Sequence, residues 1–344
     1  MPGNPINVLF INETSKQTRD YLANNLTDFT NINFIYPSNF SPQNLLEIVP
    51  NADVLIGWRP TKQLLENANR LKVFINPGAG VKHLIDLFQE ITKQKEVILI
   101  NGHGNSYFVA QHAVALLLTL MNKIIPHHLW MKQGKWRTGD SDAASIPLRF
   151  RKIGLLGYGA INQKVHKMLS GFDISFHIMK NSWQGYTEHY ITEFKKYGPS
   201  QLREFCSEID TLIIAVPHTN LTENMIGEEE LRLIGKENKN GLVVNVARGE
   251  IIEEKALYNS LKDNIIAGAA IDVWYNYKPS EQKNGRKYPY NYPFHELNNI
   301  VLSPHRGYSP FNDLLRWNEV IENLKKMSRG ERDFINIVDL KSEY

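Results

Sequence analysis

The stretch "FRKIGLLGYGAINQKVHKMLS", Phe150 to Ser170, decides the reading of this chain. An apolar run, KIGLL, leads directly into glycines, and the glycines open a segment with helical character. A G-x-G-x-x-G pattern in that strand–turn–helix setting presents free backbone N–H groups of a helix N-terminus to a pyrophosphate. Gly157 and Gly159 fill the first two glycine places, and Asn162 stands in the third. The third glycine serves close packing of helix on strand and does not touch the phosphate. Asn162 is therefore expected to shift that packing and leave the anion site, built from Gly157, Tyr158, Gly159, Ala160 and Ile161, in place.

The end of the next strand selects the dinucleotide, because an acidic side chain about 20 residues on usually accepts from the adenosine ribose. Here 180 − 157 = 23 residues lead to Lys180, with Asn181 and Ser182 after it and no carboxylate nearby. A cation beside hydrogen-bond donors suits a 2′-phosphate, so NADP is expected in preference to NAD.

Working outward, the runs KIGLLG, ISFHIM, TLIIAV, GLVVNV, AGAAIDV and NIVLSP read as strands with helices between most of them, a complete doubly wound unit. Before it, INVLFI, INFIY, DVLIGW, LKVFIN and VILIN alternate with helical segments at Lys16 to Asn25 and Thr61 to Asn69, which predicts a second parallel sheet covered on both faces. A long helix is expected from about Tyr107 until Pro126 stops it. The chain closes with a helix from about Phe311 to Arg329 and a tail, INIVDL, that reads as a returning strand packed on the first domain.

The 344 residues suffice for two domains, and 42% apolar content can build a core in each. Thirty-nine Lys and Arg against 36 Asp and Glu leave a net charge of +3, too small a surplus to suggest a nucleic-acid partner. The longest apolar run, AVALLLTLM from Ala113, falls short of the roughly 18 residues that cross a bilayer, so no membrane span is expected. One cysteine, Cys206, and no signal-like leader point to the cytoplasm. No spacing of His, Cys, Asp and Glu suggests a metal site.

Two further stretches bear on chemistry. NVARGE sets Arg248 just after a strand, and LSPHRGYS sets His305 at the end of another, so both reach the carboxyl edge of the sheet, where open α/β sheets bind ligands. A forked guanidinium suits the carboxylate and carbonyl of a 2-oxo acid, and an imidazole suits proton transfer near neutrality.

The combination NPGAGV, GNSYFVAQHAVALLL, IGLLGYGAIN, VPHTNLTENMIG, VVNVARGEIIEEKAL, GAAIDVW and VLSPHRG resembles the D-isomer-specific 2-hydroxyacid dehydrogenases over nearly the whole chain. The resemblance implies an α/β chain in which a Rossmann cofactor domain, 109–308, is inserted into a flavodoxin-like substrate domain made from 1–108 and 309–344. It also implies a closing cleft between them and a homodimer. Arg248 resembles the arginine that binds the substrate carboxylate, and His305 the general acid/base. Ala79, Gly80 and Val81 resemble the loop whose N–H groups receive the carboxylate, Asp272 the aspartate near the nicotinamide carboxamide, and Val216 with Pro217 the segment under the nicotinamide ribose. Val246 and Ala247, before Arg248, join the expected cofactor contacts. Asn105 matches the asparagine that holds substrate in the formate-oxidising branch, and His103 lies beside it; Arg59 is a candidate rim contact.

Two positions depart from the family pattern. The glutamate normally paired with the histidine is replaced by Tyr277, and the helix that usually reads VAE carries Gln111. A carboxylate on an imidazole raises its pKa and helps it stay protonated for reduction, so His305 is expected to be a less effective proton donor than its counterparts unless Glu281 folds back to it. The function expected is hydride transfer between NAD(P)H and a small 2-oxo or D-2-hydroxy acid. Formate or another one-carbon acid is the alternative substrate, and a dinucleotide-sensing protein without turnover is the alternative class.

Overall fold

Most of the apolar runs become parallel strands buried on both faces, as in VFIN and LVVN, whose four residues are all inaccessible. The computed structural model describes residues 4–136, 144–184, 191–308 and 313–344. The chain forms two compact units, Met1–Asn105 with Pro310–Tyr344, and Ser106–Ser309.

The first unit runs β1 (Ile6–Phe10), α1 (Lys16–Asn25), β2 (Ile32–Ile35), α2 (Pro42–Ile48), β3 (Val54–Ile56), α3 (Lys62–Asn67), β4 (Val73–Asn76), α4 (Lys82–Ile91) and β5 (Ile98–Asn101). The strands lie in the order β2-β1-β3-β4-β5, all parallel, the flavodoxin-like arrangement. Ser15, Ser41 and Thr61 start α1, α2 and α3 by accepting from the backbone N–H three residues on, which satisfies a donor the helix itself cannot. One face of the sheet packs Phe74 and Phe88; the other packs Val8 and Phe10 against Val320, Ile321 and Leu324 near the chain's end.

The second unit begins with α5 (Ser106–Met121) and α6 (Ile124–Lys132), then β6 (Lys152–Leu156), α7 (Ala160–Leu169), β7 (Ser175–Met179), β8 (Phe194–Tyr197), α8 (Leu202–Glu208), β9 (Thr211–Ile214), α9 (Glu228–Leu233), β10 (Leu242–Asn245), α10 (Glu254–Lys262), β11 (Gly268–Ile271) and β12 (Ile300–Leu302). The last helix, α11 (Asn318–Ser328), belongs to the first unit. Seven parallel strands take the order β12-β11-β10-β9-β6-β7-β8, a Rossmann sheet whose switch point lies between β6 and β9. Apolar clusters cover both of its faces, and Cys206 of α8 is buried in one of them, its thiol pushed up to about 12 by the loss of water.

The α/β class with two doubly wound sheets is as the sequence led one to expect. Two local expectations change. Pro126 does not end a helix: the break falls at Lys123, with φ of 53°, and Pro126 sits in the first turn of α6, where a missing N–H costs nothing. The tail makes a single antiparallel bridge, Ile337 to Ile100, and no full strand. The expected helix start at Phe311 lies outside the described residues, as does the expected boundary at 309. Among the described residues no single helix is long and apolar enough to cross a membrane; α5 and α6 would qualify only as a pair bent by 63°.

Candidate functional site

The phosphate loop keeps its anion-binding form by replacing close packing with hydrogen bonds. Gly157 has φ of +82°, and a Cβ on it would lie 2.7 Å from both the Ala215 carbonyl oxygen and Val216 Cγ1, so no other residue fits there. A Cβ on Gly159 would meet nothing within 4 Å, which leaves open space where a phosphate would sit. α7 starts at Gly159 with no side-chain cap and no acidic residue in its first turn, so its N-terminus presents uncapped donors. These features fit a dinucleotide. Asn162 is fully buried, and its Nδ2 donates to the carbonyl oxygens of Leu156 (3.1 Å) and Gly157 (2.7 Å). The amide thus braces the strand-to-loop turn that a third glycine would have let the helix approach. One turn later His166, also fully buried, hydrogen-bonds through Nδ1 to the Tyr158 hydroxyl (2.6 Å) and through Nε2 to Thr192 (2.7 Å). Burial depresses His166 to about 4, so it is neutral near pH 7.

Asn162→Ala leaves the Gly157 carbonyl without its side-chain donor, at about 1–3 kcal/mol, while the Leu156 carbonyl still accepts from the Ala215 N–H (3.0 Å). The expected result is a Tm lower by roughly 2–12 °C, at about 2–4 °C per kcal/mol for a unit this size, together with an NADPH Kd raised about tenfold, as 1.4 kcal/mol would do. Thermal melting and fluorescence titration read the two effects. A lower Tm with an unchanged Kd would restrict the amide to fold stability.

The carboxyl edge of the sheet presents the remaining candidates in spatial sequence. Lys180 follows β7, the phosphate loop follows β6, Val216 and Pro217 follow β9, Val246 to Arg248 follow β10, Asp272 follows β11 and His305 follows β12. Lys180 Nζ lies 5.9 Å from the centre of the Trp183 ring, and Lys196 of β8 places its Nζ 5.4 Å from the same ring. Two cations therefore flank the place next to Asn181 and Ser182, both exposed.

Arg248 is held by Asn245, the last residue of β10, whose Oδ1 accepts from Ala247 N–H (3.0 Å) and whose Nδ2 donates to the Arg248 carbonyl (2.8 Å). His305 has φ of 55°, a conformation that needs outside support. Asp272 supplies it. Its carboxylate, 2% exposed, accepts from Ser303 Oγ, from Arg306 N–H (2.7 Å) and from Gly307 N–H (2.9 Å), and His112 Nε2 lies 3.3 Å away. Burial alone would raise Asp272; these donors outweigh it and hold the carboxyl below its ordinary range. Both backbone donors immediately after His305 are thus tied to one carboxylate. The His305 pKa is lowered, first by burial and then by the Arg248 cation, with Asp272 opposing.

In the first unit the loop after β4 is held by two asparagines that face each other across the sheet register. Asn76 ends β4 and Asn101 ends β5; they are register partners, both buried. Asn76 Nδ2 donates to the Gly78 carbonyl, and Asn101 Nδ2 to that of Ala79 (2.9 Å). With these carbonyls drawn to the sheet, Ala79, Gly80 and Val81 lead into α4 as a turn of fixed shape. His103 donates its N–H to Glu319 (2.5 Å) and pairs through Nε2 with the Tyr344 hydroxyl (3.1 Å), and Asn105 is the unit's last residue before α5.

Residues 114–307 match the family model described as the D-isomer specific 2-hydroxyacid dehydrogenase, NAD binding domain. The chain belongs to this family. A glyoxylate reductase of Pyrococcus furiosus is 30% identical over 300 residues, covering 84% of this chain and 83% of that one. A D-3-phosphoglycerate dehydrogenase of Methanocaldococcus jannaschii is 29% identical over 317 residues, or 89% of this chain, which spans 56% of that longer relative. Among solved structures, a probable 2-hydroxyacid dehydrogenase from Rhizobium etli, in complex with NADP, HEPES and L(+)-tartaric acid, superposes with a TM-score of 0.77 over 99% of this chain and all of that one, at 17% identity. An NADPH-dependent glyoxylate/hydroxypyruvate reductase from Sinorhizobium meliloti, with NADP and malonate, gives 0.68 over 99% and 98% at 22% identity. The family comprises NAD(P)-dependent oxidoreductases of hydroxy acids.

Against the dehydrogenase pattern, Tyr277 stands beside the histidine in place of glutamate, with its ring 5.3 Å from that of His305, edge on, and half of its surface exposed. Burial of its hydroxyl pushes the phenol pKa up, so it stays neutral. Glu281 does not substitute: its carboxylate pairs with Lys287 at 3.0 Å, both side chains exposed. Asn76, Asn101, His112, Asn162 as a donor, Lys196 and Asn245 were not singled out from the sequence for these contacts. Only the asparagines carried a signal, since three of them end strands in the same way, directly before a loop.

Proposed function

We propose that this protein transfers a hydride between NADPH, or less readily NADH, and a small 2-oxo or D-2-hydroxy acid. His305 moves the proton, and Arg248 holds the substrate carboxylate and carbonyl. The reading is carried by one observation: Arg248 after β10 and His305 after β12 leave the same carboxyl edge of the sheet that also bears the phosphate loop after β6. Gly157 to Ile161 would hold the pyrophosphate, Lys180 with Asn181 and Ser182 the adenosine ribose and its 2′-phosphate, and Val216, Pro217, Val246, Ala247 and Asp272 the nicotinamide half. When bound, the nicotinamide supplies or accepts the hydride.

The rest is the work of side chains and backbone. Ala79, Gly80 and Val81 receive the carboxylate on their N–H groups, and Asn105 and His103 contact the substrate. In reduction the His305 imidazolium gives its proton to the oxygen that becomes the hydroxyl, and the ring is left neutral; in oxidation the neutral ring takes that proton back. The Arg248 cation stabilises negative charge growing on that oxygen. Turnover of glyoxylate, hydroxypyruvate or pyruvate with NADPH tests the reading. Binding of NADPH with no turnover of any of them would instead favour a dinucleotide sensor.

The pH dependence follows from the depressed His305 pKa. Reduction needs the protonated ring, so kcat/KM for reduction falls as pH rises through a value below 6.5, and oxidation rises through it. Tyr277→Glu sets a carboxylate beside the ring and should move that limb upward by about 1–3 units. A pH profile with glyoxylate reads the shift, and a limb that stays in place would remove Tyr277 from control of the acid.

A further inference from the structure

The turn that carries His305 is gripped from outside. Arg306 and Gly307 donate their N–H groups to Asp272, and a Cβ on Gly307 would lie 3.0 Å from Asp272 Oδ2 and 3.4 Å from the His112 ring. The Asp272 carboxylate is thus committed to the backbone of the turn and to Ser303 Oγ. What the imidazole itself meets is aromatic. The Tyr277 ring lies 5.3 Å from it, inclined at 61°, and the Tyr308 ring lies 5.3 Å from it at 89°. Both arrangements are edge-to-face, the geometry that neighbouring rings favour.

Each ring is anchored to the segment that bears the histidine. Tyr308 directly follows Gly307, whose N–H Asp272 holds. Tyr277 comes from the loop after β11, and its hydroxyl accepts the Trp274 N–H at 3.4 Å. The Trp274 indole is buried and donates from Nε1 to the Ser303 carbonyl at 2.8 Å, which ties that loop to the start of the same turn. Histidine and both phenols therefore sit on one framework built around Ser303 to Tyr308.

An imidazole turns about two side-chain bonds, and proton transfer needs one of its nitrogens within about 2.6–3.2 Å of the reacting oxygen. A misplacement of about 1 Å can cost on the order of 10² in rate. Neutral rings limit that turning without favouring either protonation state by charge, whereas a carboxylate favours the imidazolium. They also replace water along the imidazole. We propose that Tyr308 and Tyr277 are positioning residues: their two rings bracket the His305 imidazole and aim it, a task that a hydrogen-bonded carboxylate would otherwise perform. The proposal rests on the dehydrogenase reading above for His305 as proton carrier, and it adds Tyr308 to the site. Burial lowers the His305 pKa most, Arg248 after β10 lowers it further, and Asp272 after β11 opposes them.

The test compares Tyr308→Ser and Tyr277→Ala, which remove a ring, with Tyr308→Phe and Tyr277→Phe, which keep it. Loss of either ring lowers kcat for glyoxylate reduction about 3–10-fold, the size of one aromatic pair, with KM for glyoxylate little changed. Water then reaches the imidazole, so the pH at which reduction falls moves up toward 6.5. The Phe variants restore both kcat and the pH profile. A Tyr308→Phe enzyme as slow as Tyr308→Ser would assign the effect to the hydroxyl, and Ser and Ala variants with the wild-type rate and profile would leave the rings no part in aiming the histidine; either result overturns the proposal. Proton NMR of His305, recognised by the ring signal missing from His305→Asn, gives a readout that needs no turnover: in Tyr308→Ser its ring protons shift and its pKa rises. If no 2-oxo acid reacts with the wild type, the dehydrogenase reading fails, and the NMR titration still decides the bracket; a His305 signal unchanged in both ring-deleted variants ends it.

Discussion

His305→Asn lowers kcat for 2-oxo-acid reduction by about 10²–10⁴, the usual contribution of a positioned general acid, and the fall of the reduction rate with rising pH disappears with it. Asparagine is the replacement of choice because residue 305 has φ of 55°, a conformation that Asn adopts more readily than most residues. The hydrogen bonds from Arg306 and Gly307 to Asp272 use backbone donors, so the loop is expected to keep its shape while the titrating ring is removed. NADPH binding should remain near wild type. Rapid-mixing kinetics with glyoxylate, run across pH, measures the loss. A variant that keeps more than a tenth of the rate would show that another group, or water, delivers the proton.

The second large effect concerns the choice of coenzyme. Lys180→Asp is expected to change the NADPH-to-NADH ratio of kcat/KM by about 10² or more. A charge-assisted hydrogen bond of about 1.5–3 kcal/mol is lost, and the new carboxylate repels a 2′-phosphate while accepting from a 2′-hydroxyl. Lys196, whose Nζ lies 5.4 Å from the centre of the Trp183 ring, sets how complete the inversion is. Equal use of both coenzymes by the wild type would remove the preference for NADP altogether. A ratio that shifts with Lys196→Glu and not with Lys180→Asp would move the recognition to β8.

Much of this was legible in the residues, and the reasons for the rest are physical. Apolar runs announce most strands, including the fully buried β4, β9, β10 and β11. β8, FKKY, lies at a sheet edge with two adjacent exposed lysines and carries no such run. Pro126 read as a stop because proline breaks a helix interior, yet in a first turn it breaks nothing. The third position of the phosphate loop was understood as a packing place; that an amide would fill it by bonding to the carbonyls of Leu156 and Gly157 depends on depth, which a linear string does not carry. The network of His112, Ser303 and Asp272 joins α5 to loops more than 150 residues away, and no spacing rule reaches that far.

Cys206 is the chain's only cysteine, fully buried, with its thiol far from the pH at which it would ionise. Maleimides and disulfide reagents act on thiolates they can reach, so the natural protein offers them almost no target. A cysteine introduced at any exposed position would then be labelled selectively, without first preparing a cysteine-free background. A single fluorophore on either compact unit could then report on that unit while coenzyme is added.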